Sequence, residues 1–166
     1  YPNGSRRFGE ASSVIRKGKK CLIMAKTVTI AIDGPAGAGK SSLSRKLAAN
    51  LGYIYVDTGA LYRTVGLFAK RQGVALEDAQ AVVAHLPEAD ISICYTEEGQ
   101  RVILNGEDVS DLIRTPEMSM YASAVSAVNE VRAFLLGIQH KMVAEGGVVM
   151  DGRDIGTVIM PNADVK

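Results

Sequence analysis

The chain has 166 residues, 47% of them hydrophobic and 22% charged, which predicts one ordinary soluble domain with a sizeable core. The formal net charge of +1 is unevenly spread, because residues 1–23 hold six basic residues and Glu10, a net charge of +5, whereas the rest of the chain has a net charge of −4. The basic segment lacks an interleaved aromatic pattern, and no apolar run approaches the about 18 residues of a membrane span. A nucleic-acid polymer and a membrane are therefore excluded as predicted partners.

The chain divides into two parts. We expect residues 1–23 to be a disordered or non-native extension and residues 24–166 to form the folded domain. Cys21 and Cys94 lie far apart, and His85 and His140 have no companion at metal-ligand spacing. Two unpaired, reduced thiols are typical of a cytoplasmic protein, which is the predicted location.

The first folded element is a β-branched apolar run at residues 28–33, which predicts a buried parallel strand. A Gly-x-x-x-x-Gly-Lys-Ser motif follows it, in the run Gly34-Pro35-Ala36-Gly37-Ala38-Gly39-Lys40-Ser41-Ser42. Its glycines let successive backbone N–H groups point at a phosphate, and the helix that begins near Ser41 directs its positive end to the same place. Lys40 would meet the terminal phosphates, and the Ser41 hydroxyl could bind Mg²⁺. The motif predicts a site for a nucleoside triphosphate.

The next four predicted elements are a helix, a strand and two further helices. Residues 42–51 predict a helix with Leu43, Leu47 and Leu51 as its core stripe, and residues 53–56 predict a second strand. A helix is predicted at residues 60–70 and another at residues 77–86. The buried face of the helix at 60–70 is predicted from Leu61, Val65, Leu67 and Phe68.

A different pattern begins near residue 91. Strands at 91–95 and 101–104 flank a turn and predict an antiparallel lobe inserted over the sheet. Helices are predicted at 116–128, with proline in the first turn, and at 129–145. Residues 148–151 predict a third parallel strand. The alternation implies a three-layer α/β fold with a parallel sheet.

A second possible phosphate site follows the second strand, in Asp57-Thr-Gly-Ala-Leu-Tyr-Arg63. Backbone N–H groups, the Thr58 hydroxyl and the Arg63 guanidinium suit an anion. We therefore expect two phosphate pockets at the mouths of two neighbouring strands, as in enzymes that carry phosphate between two nucleotides.

The third strand ends in acidic residues. Asp151 follows an apolar run, as does the carboxylate that lies near magnesium in many nucleotide sites. Arg153 and Asp154 come next, at the strand end where α/β sheets bind ligands.

Together these segments resemble the bacterial cytidylate kinases. The resemblance runs from about residue 24 to residue 166 and rests on residues 33–42, 57–63, 102–110, 113–117 and 151–157. It implies a phosphate-loop α/β fold of the nucleoside monophosphate kinase type, with a monophosphate-binding insert at about 85–128. Members of the family continue past the position of Lys166 with a further strand beside the first and an arginine-bearing lid. We therefore expect these parts to be missing and the first strand to have an unpaired edge.

The resemblance also implies roles for individual residues. The phosphate of the acceptor CMP would be held by Thr58, Arg63 and Arg153. The cytosine edge would be read by Ser123, Arg132 and Asp154, with Tyr62 packed at the acceptor site and Asp151 near the metal and the substrate. Without the resemblance, Ser123 and Arg132 would be ordinary residues of a helix surface.

The implied activity is the Mg²⁺-dependent transfer of phosphate from ATP to CMP or dCMP, a step of pyrimidine nucleotide metabolism. Lys40, Arg63 and Arg153 would be its catalytic residues, and the protein is expected to be a monomer. Two alternatives remain open: a kinase of this fold with another acceptor, such as UMP, AMP or a small alcohol, and a truncated chain that binds nucleotide without turnover. A GTPase would need an Asn-Lys-x-Asp motif, which the sequence lacks.

Overall fold

The computed structural model describes residues 27–75, 77–96 and 99–166. The predicted extension at residues 1–23, with Cys21, lies outside them. The described part contains these strands and helices in chain order: β1 Thr29–Asp33, α1 Lys40–Leu51, β2 Ile54–Asp57, α2 Thr58–Arg71, α3 Ala79–His85, β3 Ile91–Thr96, β4 Gly99–Leu104, β5 Glu107–Asp108, α4 Pro116–Ser126, α5 Asn129–Ala144 and β6 Val148–Gly152. Short 3₁₀ helices at Leu86–Glu88 and Leu112–Arg114 and a π-helical turn at Ile155–Ile159 complete it.

The three strands predicted to be parallel form one parallel sheet in the order β1–β6–β2. The prediction that the two phosphate pockets lie on neighbouring strands is wrong, because β6 lies between β1 and β2. The crossover through α1 leaves one strand position open, and β6 fills it. Since adjacent strands are about 4.8 Å apart, the ends of β1 and β2 are separated by roughly 10 Å.

The outer edge of β1 is paired near the end of the described residues. The N–H of Ala31 donates to the carbonyl of Val165 at 2.9 Å, and the N–H of Val165 donates to the carbonyl of Thr29 at 3.2 Å. The expected unpaired edge is therefore wrong at this position, where Val165 bridges to Ile30 in the parallel sense.

Three layers are present, as predicted. Helix α1 covers one face of the parallel sheet, where Ala48 packs with Ile30 and Val149. The other face buries Val56 and Met150 against α5 and the π-helical turn, as the side chains at alternate strand positions require. The predicted apolar face of α2 is buried in a larger cluster with residues of α4, α5 and the antiparallel lobe.

The predicted core stripe of α1 is wrong. Leu43 and Leu51 are 58% and 46% exposed, and Leu47 is only partly buried. The buried face of the helix consists of Ser44 and Ala48, which also stand four residues apart. The buried positions are displaced by one residue from the predicted ones, which corresponds to a rotation of about 100° around the helix axis. The small side chains of Ser44 and Ala48 let the helix lie close to the sheet.

The lobe is antiparallel, as predicted, but it has a third short strand that was not predicted, and its order is β3–β4–β5. Thr115 caps α4 by accepting a hydrogen bond from the N–H of Met118 at 3.2 Å, with Pro116 in the first turn. Helix α4 packs closely on α2 at Gly66, where an added Cβ would stand 2.6 Å from Cβ of Tyr121. No helix in the described ranges has the length and apolar character needed to cross a bilayer.

Candidate functional site

The phosphate loop connects β1 to α1 at the carboxyl edge of the parallel sheet. Gly37 and Gly39 both have φ of 78°, a left-handed conformation that glycine adopts without strain. Gly39 caps α1, which begins at Lys40, so the loop leads directly into a helix N-terminus. The Lys40 ammonium donates to the carbonyl of Pro35 at 2.6 Å and so lies over the loop. This geometry suits a chain of phosphates.

Asp151, at the end of β6, meets the loop at Ser41. The Ser41 hydroxyl donates to Oδ2 of Asp151 at 2.8 Å, and the Tyr55 hydroxyl donates to Oδ1 at 3.1 Å. Burial, together with the nearby Asp57, raises the pKa of Asp151, whereas the two hydrogen bonds and Lys40 lower it. The predicted metal pair, Ser41 and Asp151, is therefore in direct contact, and a cation there would offset the cost of the buried charge.

A second acidic residue joins the ends of β1 and β6. The Asp33 carboxylate accepts hydrogen bonds from the N–H groups of Ile155 at 2.6 Å and Gly156 at 2.8 Å. These bonds hold the π-helical turn against the start of the phosphate loop. They fix the segment that contains Arg153 and Asp154.

The residues of the predicted second phosphate site are placed as follows. Asp57 caps α2 by accepting from the N–H of Ala60 at 3.2 Å. Thr58 is buried, and its hydroxyl donates to the carbonyl of Asp151 at 2.8 Å, so this hydroxyl ties the ends of β2 and β6 together. Arg63 is half-buried and lines a cavity, whereas Arg153 is exposed on the turn after β6. Among the described residues no hydrogen bond or ion pair joins Thr58, Arg63 and Arg153 to one another.

Two of the residues expected at the cytosine edge are in contact. Arg132, on α5, forms an ion pair with Asp154 through Nη2 and Oδ2. Tyr62 lies near this pair: burial raises the pKa of its phenol, the charge of Arg132 lowers it and that of Asp154 raises it. Ser123 is exposed on α4, and its carbonyl accepts from the Ser126 hydroxyl at 2.9 Å.

Sequence reasoning missed Tyr55 and Asp33. Tyr55 is 96 residues from Asp151 along the chain, and Asp33 is 122 residues from Ile155, so no local pattern joins these partners. The available signal was position alone: Asp33 ends a strand immediately before the loop, and Tyr55 stands two residues before Asp57 on the second strand.

The parallel sheet, the loop before α1 and the Ser41–Asp151 contact define a phosphate-loop protein of the α/β class. Residues 30–166 match the model of the cytidylate kinase family. The chain belongs to that family.

Curated relatives that carry the name cytidylate kinase support this assignment. The protein of Caldicellulosiruptor bescii is 51% identical over 141 residues, which are 85% of this chain and 62% of that protein. The protein of Syntrophotalea carbinolica is 50% identical over 143 residues, 86% of this chain and 61% of that protein. The protein of Geobacter sp. M21 is 52% identical over 139 residues, 84% of this chain and 60% of that protein. The chain thus spans about three-fifths of the length of these relatives.

Proposed function

We propose that the protein transfers the γ-phosphoryl group of ATP to CMP or dCMP and yields ADP and CDP or dCDP. The observation that carries the proposal is that the phosphate loop, Asp151 and the N-terminus of α2 lie at one edge of one sheet, in a chain of the cytidylate kinase family. Under this proposal ATP occupies the loop from Gly34 to Ser42, and CMP lies on the α2 side of β6. The protein would act as a cytoplasmic monomer on these small molecules.

The pair Ser41 and Asp151 suits Mg²⁺. A hydroxyl and a carboxylate are the hard oxygen ligands that this cation prefers, and such sites use one or two protein ligands together with phosphate oxygens. The raised pKa of the buried Asp151 carboxyl supports this assignment, because a cation there would favour its charged form. When bound, Mg²⁺ neutralises charge on the phosphates.

The acceptor site is proposed on the residues around Arg132 and Asp154. The guanidinium and the carboxylate of this pair offer donors and acceptors to a cytosine edge, with Ser123 as a third polar group. Tyr62 would pack beside the acceptor. Arg63 and Arg153, with the first turn of α2, would hold its phosphate.

The reaction needs charge neutralisation and alignment more than proton transfer. A phosphate monoester has a second pKa near about 6, so the attacking oxygen is already ionised at neutral pH and no general base is required. Lys40, Arg63 and Arg153 would offset the charge that spreads over the transferring group. Positioning of the two phosphates in line accounts for the rest.

The test is a coupled assay of ADP release with CMP, dCMP, UMP, AMP and shikimate as acceptors. It is run on the 166-residue chain and on a chimera in which residues 30–166 replace the matching segment of the Caldicellulosiruptor bescii relative. We expect CMP and dCMP to be the best acceptors. Equal rates with all acceptors would reject the cytidine assignment, and a faster rate with UMP, AMP or shikimate would favour the other-acceptor alternative.

Lys40→Ala is the matched inactive variant. We expect it to lower turnover by at least about a hundredfold, because it removes a charge contact that strengthens in the transition state. Retained turnover would contradict the role of Lys40. ATP binding without turnover in both proteins, measured by calorimetry, would favour the nucleotide-binding alternative.

A further inference from the structure

A cavity of about 470 Å³ lies along the outer edge of β2, between α1 and the antiparallel lobe. One side is formed by the polar and small residues of α1, the opposite side by the β3–β4 hairpin and the start of α2. Its lining includes Arg45, Arg63, Arg114, Tyr55, Tyr95 and Gln100.

Three arginines from three different elements line this cavity. Arg45 comes from α1, Arg63 from α2 and Arg114 from the 3₁₀ helix that precedes α4. In the described ranges none of the three forms an ion pair. Asp57 supplies the single carboxylate among the described lining residues. The cavity is therefore positively charged and has an excess of donors for an anion.

Aromatic and amide groups add to the cationic ones. The guanidinium carbon of Arg45 stands 5.7 Å from the ring centroid of Tyr55, a cation–π contact that holds this arginine along the cavity. Tyr95, on β3, lines the cavity and is 43% exposed, so its ring is accessible to a ligand. Gln100 accepts from the N–H of Asp57 at 2.9 Å through Oε1, which fixes the amide at the mouth of the cavity. Arginines beside tyrosine rings are the combination that binds phosphates and stacked bases.

This cavity adjoins the acceptor position of the proposed reaction and extends away from it toward α1 and the antiparallel lobe. Neither the phosphate loop nor Ser123, Arg132, Arg153 or Asp154 lines it, whereas Asp57, Ala60 and Arg63 border both the cavity and the acceptor position. Its volume lies within the about 300–1,000 Å³ usual for small-molecule sites. Three guanidinium groups exceed what one phosphate needs.

We propose that the cavity at the β2 edge binds a nucleoside triphosphate as a second nucleotide site, with its phosphates on Arg45, Arg63 and Arg114 and its base against Tyr95. The site does not depend on which acceptor the enzyme phosphorylates. It also does not depend on turnover, so it can be tested by binding alone.

The test is calorimetric titration of the 166-residue chain with ATP and, separately, with pyrophosphate. We expect two equivalents of ATP for the unmodified chain, and Lys40→Ala should weaken the loop site and leave the second site unchanged. Arg45→Gln/Arg114→Gln should keep the loop site and weaken the second site by at least about thirtyfold, because each charge-assisted contact accounts for a large share of anion binding. Pyrophosphate should bind the second site more weakly than ATP.

Lys46→Gln is the control, because it removes an exposed cation next to Arg45 that does not line the cavity. It should leave both sites unchanged. In the unmodified chain, the second equivalent of ATP should shift the NMR signals of Tyr95 and Gln100, a measurement that does not rely on a variant being folded. In the unmodified chain, a single equivalent of ATP that does not shift the signals of Tyr95 and Gln100 would overturn the proposal, as would a second site unaffected by the double variant or pyrophosphate binding equal to that of ATP. In the unmodified chain, ATP binding at the second site without binding at the loop site would reject the proposed function and leave this proposal standing.

Discussion

Asp151 is the residue on which most of the site geometry converges. Its two carboxylate oxygens accept from Ser41 and Tyr55, and its backbone carbonyl accepts from Thr58. One residue thus connects the phosphate loop, β2 and the first turn of α2. Burial raises the pKa of the Tyr55 phenol, so the hydroxyl keeps its proton and acts as a donor to Asp151.

Tyr55→Phe removes the hydrogen bond to Oδ1 of Asp151. Groups that orient a metal ligand commonly change metal affinity by about ten- to a hundredfold when they are lost. We expect Tyr55→Phe to weaken the binding of Mn²⁺ in the presence of ATP by at least about threefold, measured by electron paramagnetic resonance. Thermal unfolding without metal should change little.

Tyr53→Phe is the matched control. Tyr53 lies two residues away on the same face as Tyr55, and its hydroxyl accepts from the N–H of Val28 at 3.1 Å, away from Asp151. It should leave Mn²⁺ affinity unchanged. Equal affinities in both variants and the unmodified chain would show that Tyr55 does not position Asp151.

The packing of helix α2 against helix α4 depends on Gly66. A methyl group there would stand 2.6 Å from Cβ of Tyr121 and 3.3 Å from its backbone carbon, so α4 would have to move. We expect Gly66→Ala to lower the free energy of unfolding by about 1–2 kcal/mol, because the overpacking exceeds the about 1 kcal/mol gained in helix propensity. Urea unfolding followed by circular dichroism measures the change.

Gly137→Ala provides the opposite case. Gly137 lies within α5, and an added Cβ there meets nothing within 4 Å. The same substitution should therefore stabilise the chain by up to about 1 kcal/mol. If both variants shifted stability in the same direction, close packing at Gly66 would not be the cause.

The antiparallel lobe contains an acid-sensitive network around Asp108. Its carboxylate accepts from the hydroxyl and the N–H of Ser110 at 2.6 and 3.0 Å and pairs with Arg101 at 2.9 Å. The hydrogen bonds from Ser110, and after them the Arg101 guanidinium, lower the pKa of Asp108. A lowered pKa stabilises the fold above the ordinary aspartate value of about 3.9, and this contribution is lost as the pH falls through the lowered value.

Asp108→Asn should therefore destabilise the chain at about pH 7 and have a smaller effect at about pH 3, where the unmodified carboxylate is becoming protonated. Urea unfolding at both pH values gives the two differences. Asp111→Asn is the control, because this carboxylate is 80% exposed and lies 3.5 Å from Arg101. A destabilisation by Asp108→Asn that is the same at both pH values would contradict the assignment.

Elements and motifs were predictable to different degrees. The faces of α2 and the order of helices and strands followed from local patterns. The buried face of α1 could not be predicted in this way. Ser44 and Ala48 are buried because their small side chains let the helix approach the sheet, whereas hydrophobicity alone favoured Leu43 and Leu51. Ser41 and Asp151 were predicted as partners because each belongs to its own motif. The contacts of Tyr55 and Asp33 depend on how β6 enters the sheet, which short-range periodicity does not encode.

Across the described residues, a hydrogen bond from a backbone N–H to a side chain joins the parallel sheet to the lobe. The N–H of Asp57 donates to Oε1 of Gln100 at 2.9 Å, at the end of β2 where α2 begins. We expect Gln100→Ala to increase the hydrogen-exchange rate of the Asp57 amide by at least about tenfold, because its acceptor is lost and the lobe opens more readily there.

Amides of β6 serve as the internal reference for that measurement, since this strand is paired on both sides. They should exchange at the same rate in the variant and the unmodified chain. A uniform increase at Asp57 and in β6 would mean global destabilisation and would contradict a local role for Gln100.

The position of β6 between β1 and β2 has a further consequence. The distance from the phosphate loop to the first turn of α2 is fixed by the width of two main-chain pairings, a quantity that no side chain controls. Substitutions can alter which molecules dock at either end, but they cannot lengthen or shorten the span. A protein in which the phosphate loop and the first turn of α2 had to be farther apart would need an additional strand between β1 and β2.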